Sequence, residues 1–132
     1  MQKRPRVDLD RKKSQILVVH CSDPRFQAAY RHVIDGLGSY YDLLVVPGAS
    51  KAIVDKHSVV EKIKMLHELH HFETVHILDH THCGAFGKID NEFDVHQQMI
   101  RKAEEALADS LPDISVKGYL LDEKSELTSF KC

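Results

Sequence analysis

The feature that most constrains this chain is a series of short, uninterrupted apolar runs. They lie at residues 16–19 (ILVV), 42–46 (DLLVV), 74–78 (TVHIL) and 114–121. A run of four to eight apolar residues without alternation is the pattern of a strand buried on both faces. Helical signals fill the intervals. Ser22 or Asp23 can cap a helix whose first turn holds Pro24, and Gly36 and Gly38 stop it after Asp35. Val59, Ile63, Leu66 and Leu69 form an apolar stripe that predicts a helix over 52–70, after Pro47-Gly48 has ended the second strand. A further helix is expected at about 92–107, before Pro112 breaks the chain. Leu127–Phe130 can add a short antiparallel partner after a turn. Strands alternating with helices require right-handed crossovers. The expected fold is therefore α/β, a mostly parallel central sheet of about four strands flanked by helices, with a possible short antiparallel C-terminal strand.

The chain has 132 residues, enough for one domain that buries roughly two thirds of its unfolded surface. Residues 1–14 read as a flexible basic arm and 15–132 as the domain. A formal net charge of -2 gives no electrostatic footprint for nucleic acid. No apolar run approaches the ~20 residues that span a bilayer, and no apolar segment near the start suggests a signal peptide. The default expectation is a cytoplasmic protein that engages neither nucleic acid nor membrane. Three cysteines, an odd number, argue against a disulfide framework. Cys132, the last residue, receives no role.

The unusual chemistry sits at strand ends. The stretch VVHCSDPRF places Cys21, Asp23 and Arg25 at alternate positions after the first strand. The stretch DHTHCGAFG, 79–87, follows the third. If the first strand lies between the second and third, the strand order reverses beside it, and ligands bind outside the carboxyl ends of strands at such a reversal. Both segments then face one crevice. Thiolate and imidazole suit zinc, so Cys21, His80 and Cys83 are candidate ligands. Three protein ligands leave a fourth position for water, the pattern of a catalytic rather than a structural site. Arg25 can hold Asp23 ionised, and Asp23 can accept a hydrogen bond from the reacting water.

Each of these residues has a plainer alternative. Cys21 and Cys83 could be buried cysteines and His80 a loop histidine. Asp23 could be only a helix cap, and Arg25 a solvated first-turn arginine. His82 is expected to point away from the ligands, His67, His70 and His71 to form a solvated surface, and His20 to fill strand-end packing. Gly84 is expected to permit a tight turn. The His-Cys pair followed by Arg25 also echoes a phosphate-cradling cysteine loop. Three residues between Cys21 and Arg25 are too few for that cradle.

CSDPR resembles the Cys-x-Asp-Ser-Arg motif of the β-class carbonic anhydrases, and HTHCGA resembles that family's His-x-x-Cys-Gly motif. About 59 residues separate Cys21 from His80, a gap that fits, and ISVKGYLLDEKSELTSF is similar to the family's last strand-turn-strand. The resemblance covers roughly residues 15–130. It implies that Cys21, His80 and Cys83 bind zinc, that Asp23 and Arg25 form a catalytic dyad, and that the chain is a homodimer with active sites near the subunit interface. The implied reaction is reversible hydration of carbon dioxide to bicarbonate, a lyase activity. Hydrolysis of a related heterocumulene such as carbonyl sulfide, or zinc binding without catalysis, are the alternatives. Pro24 stands where the family usually has serine, Asp79 where glycine often precedes the histidine, and His82 where aspartate or asparagine is common.

Overall fold

A computed structural model describes residues 4–130. Five strands form one sheet: β1 (Ile16–His20), β2 (Tyr41–Val45), β3 (Thr74–His80), β4 (Ser115–Leu121) and β5 (Leu127–Phe130). Their order is β2-β1-β3-β4-β5. The first four are mutually parallel, and β5 returns antiparallel to β4. This is the expected architecture, with β1 between β2 and β3. Cys132 lies outside the described residues.

The helices are α1 (Gln27–Asp35), α2 (Ser50–Asp55), α3 (His57–His70) and α4 (Glu92–Ser110). Successive strand residues face opposite sides of the sheet. Leu17 and Val19 of β1 join Val75 and Ile77 of β3 in a core with Ile53, Ile63, Ile100 and Leu107, from α2, α3 and α4. Val18 and Leu78 face the other way, toward Tyr30 and Ile34 of α1. Leu17, Val18 and Val19 are each fully buried; each contributes about 1.5–3 kcal/mol by leaving water. The run ILVV has no polar position because both faces of β1 are covered.

One expected element is corrected. The stripe over 52–70 is not one helix: Lys56 adopts an extended backbone (φ -125, ψ 103) and separates α2 from α3. The break lets α2 lie against α4 while α3 follows its own course beneath the sheet. The first helix also starts later than expected, because 24–26 form a single 3-10 turn ahead of α1. Where the arm meets the sheet, the Ser14 hydroxyl donates to Asp42 Oδ2 at 2.6 Å, and the Arg11 guanidinium lies 3.8 Å from the Tyr40 ring centre. Among the described residues, no helix is long and apolar enough to cross a membrane.

Candidate metal centre

β1 and β3 are parallel neighbours, so the segments that leave them emerge at one end of the sheet. Cys21 follows β1, His80 ends β3, and Cys83 closes the next turn. A ligand atom from each of the three lies within 4.8 Å of the other two. All three residues are buried. The two sulfurs are 3.9 Å apart. Two thiolates on one tetrahedral zinc, with bonds of about 2.3 Å, stand about 3.8 Å apart.

His80 supplies the sharper test of fit. Its Nδ1 lies 2.6 Å from the Thr81 carbonyl, so Nδ1 carries the proton and donates. That fixes the tautomer and leaves the Nε2 lone pair bare. No hydrogen bond of normal geometry reaches Nε2, although the atom is buried. An orphaned acceptor beside two thiols is what a metal ligand looks like without its ion, and the donor set suits zinc.

The rest of the shell holds these groups still. Phe26 stacks on the His80 ring at 4.2 Å, and His20 stacks on Tyr30 at 4.1 Å. His20 Nδ1 donates to the Cys21 carbonyl at 2.8 Å, in keeping with a strand-end packing role. The Gly48 N–H donates to Cys21 Sγ at 3.4 Å. The contact with Cys83 holds the Cys21 thiol down to about 3, and the same contact pushes Cys83 up as the proton's holder. Burial alone would lower His80, but the Cys21 sulfur, the Thr81 carbonyl and Asp23 outweigh it and raise it. A metal ion must therefore displace protons to enter.

Asp23 and Arg25 stand beside this cluster. Arg25 grips the Asp23 carboxylate through Nε and Nη2, with Nη2 donating at 2.7 Å. Asp23 Oδ1 also accepts the Arg25 backbone N–H at 2.9 Å and so caps the 3-10 turn; capping and the ion pair coexist. The arginine holds the Asp23 carboxyl down to about 2. Asp23 Oδ2 lies 3.7 Å from His80 Nε2, the orphaned atom. Arg25 further donates to the His82 carbonyl at 2.8 Å.

His82 itself is no part of the cluster: its ring is 66% exposed and lies 3.8 Å from Glu123. Its backbone makes the tight turn, at φ 56. Gly84 opens a second tight turn, the 3-10 turn over Gly84–Phe86 in which the Phe86 N–H donates to the Cys83 carbonyl at 3.1 Å, but it has no positive φ and a Cβ there would meet nothing within 4 Å. His82 is secured from both sides. Arg25 takes its carbonyl and Glu92 Oε2 accepts its N–H at 2.8 Å. His70 is not simply solvated, since its Nδ1 donates to Asp42 Oδ1 at 2.7 Å.

Four residues of the surroundings escaped sequence reasoning: Ser50, Asp79, Glu92 and His96. Asp79 is fully buried behind His80 and accepts from Ser50 N–H (3.1 Å), Ser50 Oγ (2.5 Å) and His96 Nδ1 (2.7 Å). A signal for His96 was present, because it continues the buried stripe of Ile100, Ala103 and Leu107 along α4.

Comparison with known proteins bears on the fold and the family. A protein of Rickettsia bellii (strain RML369-C), named only as uncharacterized, is 27% identical over a 101-residue match, with 65% of this chain covered. The match spans 62% of that relative's length. The fold is similar to a carbonic anhydrase from Streptococcus mutans, with a TM-score of 0.70, 18% identity, and 96% of this chain and 88% of that one covered. It is also similar to a β-carbonic anhydrase isoform from Trichomonas vaginalis, with a TM-score of 0.66, 15% identity, and coverages of 95% and 87%. The model of the family described as "putative carbonic anhydrase" matches residues 11–131, nearly the whole chain, and the chain therefore belongs to that family.

Proposed function

We propose that the protein is a zinc enzyme, a carbonate dehydratase that interconverts carbon dioxide and bicarbonate, with Cys21, His80 and Cys83 as its metal ligands and Asp23 with Arg25 as its catalytic dyad. One observation carries this reading: the orphaned Nε2 of His80, 3.7 Å from an ionised carboxylate, on a ring that offers a ligand atom within 4.8 Å of both sulfurs. A bound zinc ion lowers the pKa of water toward about 7 and so supplies a nucleophile at neutral pH.

The chain's own residues do the rest. Asp23, ionised under all working conditions, accepts a hydrogen bond from the reacting water and fixes the direction of its lone pair toward the substrate carbon. Arg25 holds that carboxylate in place and keeps it from turning onto the ligand position itself. The Arg25 bond to the His82 carbonyl ties the dyad to the loop that bears Cys83. Phe26 presents an apolar face beside His80, and on the outer side of the dyad it lines, with Arg25, Ala29, His82, Asp122, Glu123 and Ser125, a hollow of about 180 Å³.

The proposed assembly is a homodimer, and the open edge of the sheet supports it. β2 is an edge strand, and its Leu43 and Val45 are 45% and 41% exposed. An apolar edge strand invites pairing, and a second copy of this chain covers it symmetrically. Buried free thiols suit a reducing cytoplasm.

The test is stopped-flow hydration of carbon dioxide on protein whose zinc content has been measured. About one zinc per chain and rapid hydration are expected. Zinc retained in the Cys21→Ser, Cys83→Ser double variant would refute the ligand set. Consumption of carbonyl sulfide without hydration would turn the reading to a hydrolase, and zinc without either activity to a binding relative.

A further inference from the structure

The Asp79 network has a chemical purpose that the ligands alone do not explain. It converges on the turn at 46–49, which carries the Gly48 N–H that bonds Cys21 Sγ. Pro47 and Gly48 occupy the central positions of that turn, closed by the Ala49 N–H on the Val46 carbonyl at 3.1 Å. Proline followed by a residue at positive φ is the type II pattern, and Gly48 has φ 87. Glycine is required there twice over, because a Cβ would come within 3.0 Å of Ala85 Cβ.

Ala49 comes next, at φ 43 and ψ -99, a backbone region that residues with side chains rarely enter. It is fully buried. Such a conformation persists only where the surroundings over-determine it. The over-determination lies one residue on. Asp79 takes both the backbone N–H and the hydroxyl of Ser50, and its own carboxylate is held from behind by His96 Nδ1. His96 is fully buried on α4, the longest helix.

We propose that Asp79, braced by His96, is a positioning residue of the metal centre, acting through Ser50 to hold the strained turn that aims the Gly48 N–H at the Cys21 sulfur. The inference rests on the zinc reading above and deepens it. An N–H directed at a thiolate withdraws electron density from sulfur, leaving a bound metal ion more electrophilic. Outer groups that orient ligands commonly change metal affinity or activity 10–100-fold. Asp79 would therefore control the cysteine ligand without touching it.

Cobalt(II) in place of zinc reports sulfur electron density directly, through its thiolate-to-metal charge-transfer absorption. In Asp79→Asn the amide cannot accept all three bonds, because its nitrogen donates. The band should move to longer wavelength, and cobalt should pass to a chelator about tenfold faster. Ser50→Ala, which loses a single hydroxyl, should shift the band in the same direction by less, and it decides the matter if Asp79→Asn does not fold. Leu107→Ala, a core truncation on the same helix, should lower stability and leave the band in place. Unchanged bands in Asp79→Asn and Ser50→Ala would overturn the inference, as would an equal shift in Leu107→Ala. Absence of the band in the metal-bound unmutated protein would overturn the cysteine ligation itself, and the inference with it.

Discussion

Gly118 lies in β4 directly under α4, where a Cβ would stand 2.3 Å from Ile100 Cγ2 and 3.2 Å from its Cδ1 and Cγ1. Carbon atoms in contact prefer about 3.5–4.0 Å. Gly118→Ala must therefore drive β4 and α4 apart by more than ~1 Å, or twist Ile100 from its rotamer. Ile100 is β-branched, helical and fully buried, so it cannot turn cheaply. Overpacking of this kind costs about 1–3 kcal/mol. The strain also reaches the site. His96 lies one helical turn before Ile100 on the same buried face. Moving it ~1 Å would stretch its 2.7 Å bond to Asp79 beyond hydrogen-bonding range. Urea unfolding in excess chelator should give the stability loss, and metal release should accelerate as well. Ile100→Ala alone should cost about 2–5 kcal/mol by leaving a cavity. In the double variant the methyl added at position 118 enters that cavity, so the combined cost should fall short of the sum by about 1 kcal/mol or more. Strict additivity would show that the two side chains do not meet and would refute the reasoning.

Arg25→Ala should keep zinc yet lose about 10–100-fold in hydration rate, because the freed Asp23 lies 3.7 Å from His80 Nε2 and can take the open ligand position; near-normal turnover at full zinc occupancy would remove the dyad from the mechanism. Asp23→Asn should likewise bind zinc and hydrate slowly, since an amide donates as well as accepts. His76 lies below its solution value of 6.5, because burial, and then Lys117, disfavour its charged form. The unfolded chain therefore binds the proton more readily, so stability should decline as the pH drops below 6.5 and hold above it; His76→Phe should flatten that slope in urea midpoints. Leu43→Asp on the edge strand should convert a dimer to a monomer in sedimentation equilibrium, and a monomeric unmutated protein would rule out the assembly.

The sheet was legible because burial on both faces erases alternation: ILVV and TVHIL admit few other placements. Their order was only a supposition in the sequence, that β1 lies between β2 and β3, and the pairing of β1 with both strands bears it out. The interruption at Lys56 was not legible. No glycine or proline marks it, and the stripe of Val59, Ile63, Leu66 and Leu69 begins only after it, so only the packing of α2 against α4 reveals it. In the site, Cys21, His80 and Cys83 stood out by residue type and spacing. Asp79 and Glu92 did not, since a carboxylate at a strand end or in a first helical turn reads as solvated. Their meaning depends on His96 and His82, 17 and 10 residues away in sequence.

The separation of Cys21 from Cys83 by 62 positions has a consequence for the chain as a polymer. An ion held by both sulfurs would be a cross-link, tying off a loop that contains α1, β2, α2, α3 and β3. By the chain-entropy relation for cross-links, closing a loop of that length removes from the unfolded ensemble about 4 kcal/mol of freedom. Such an ion would fasten the ends of a segment that carries β2 and β3, two of the five strands, and its loss would loosen the fold along with the chemistry.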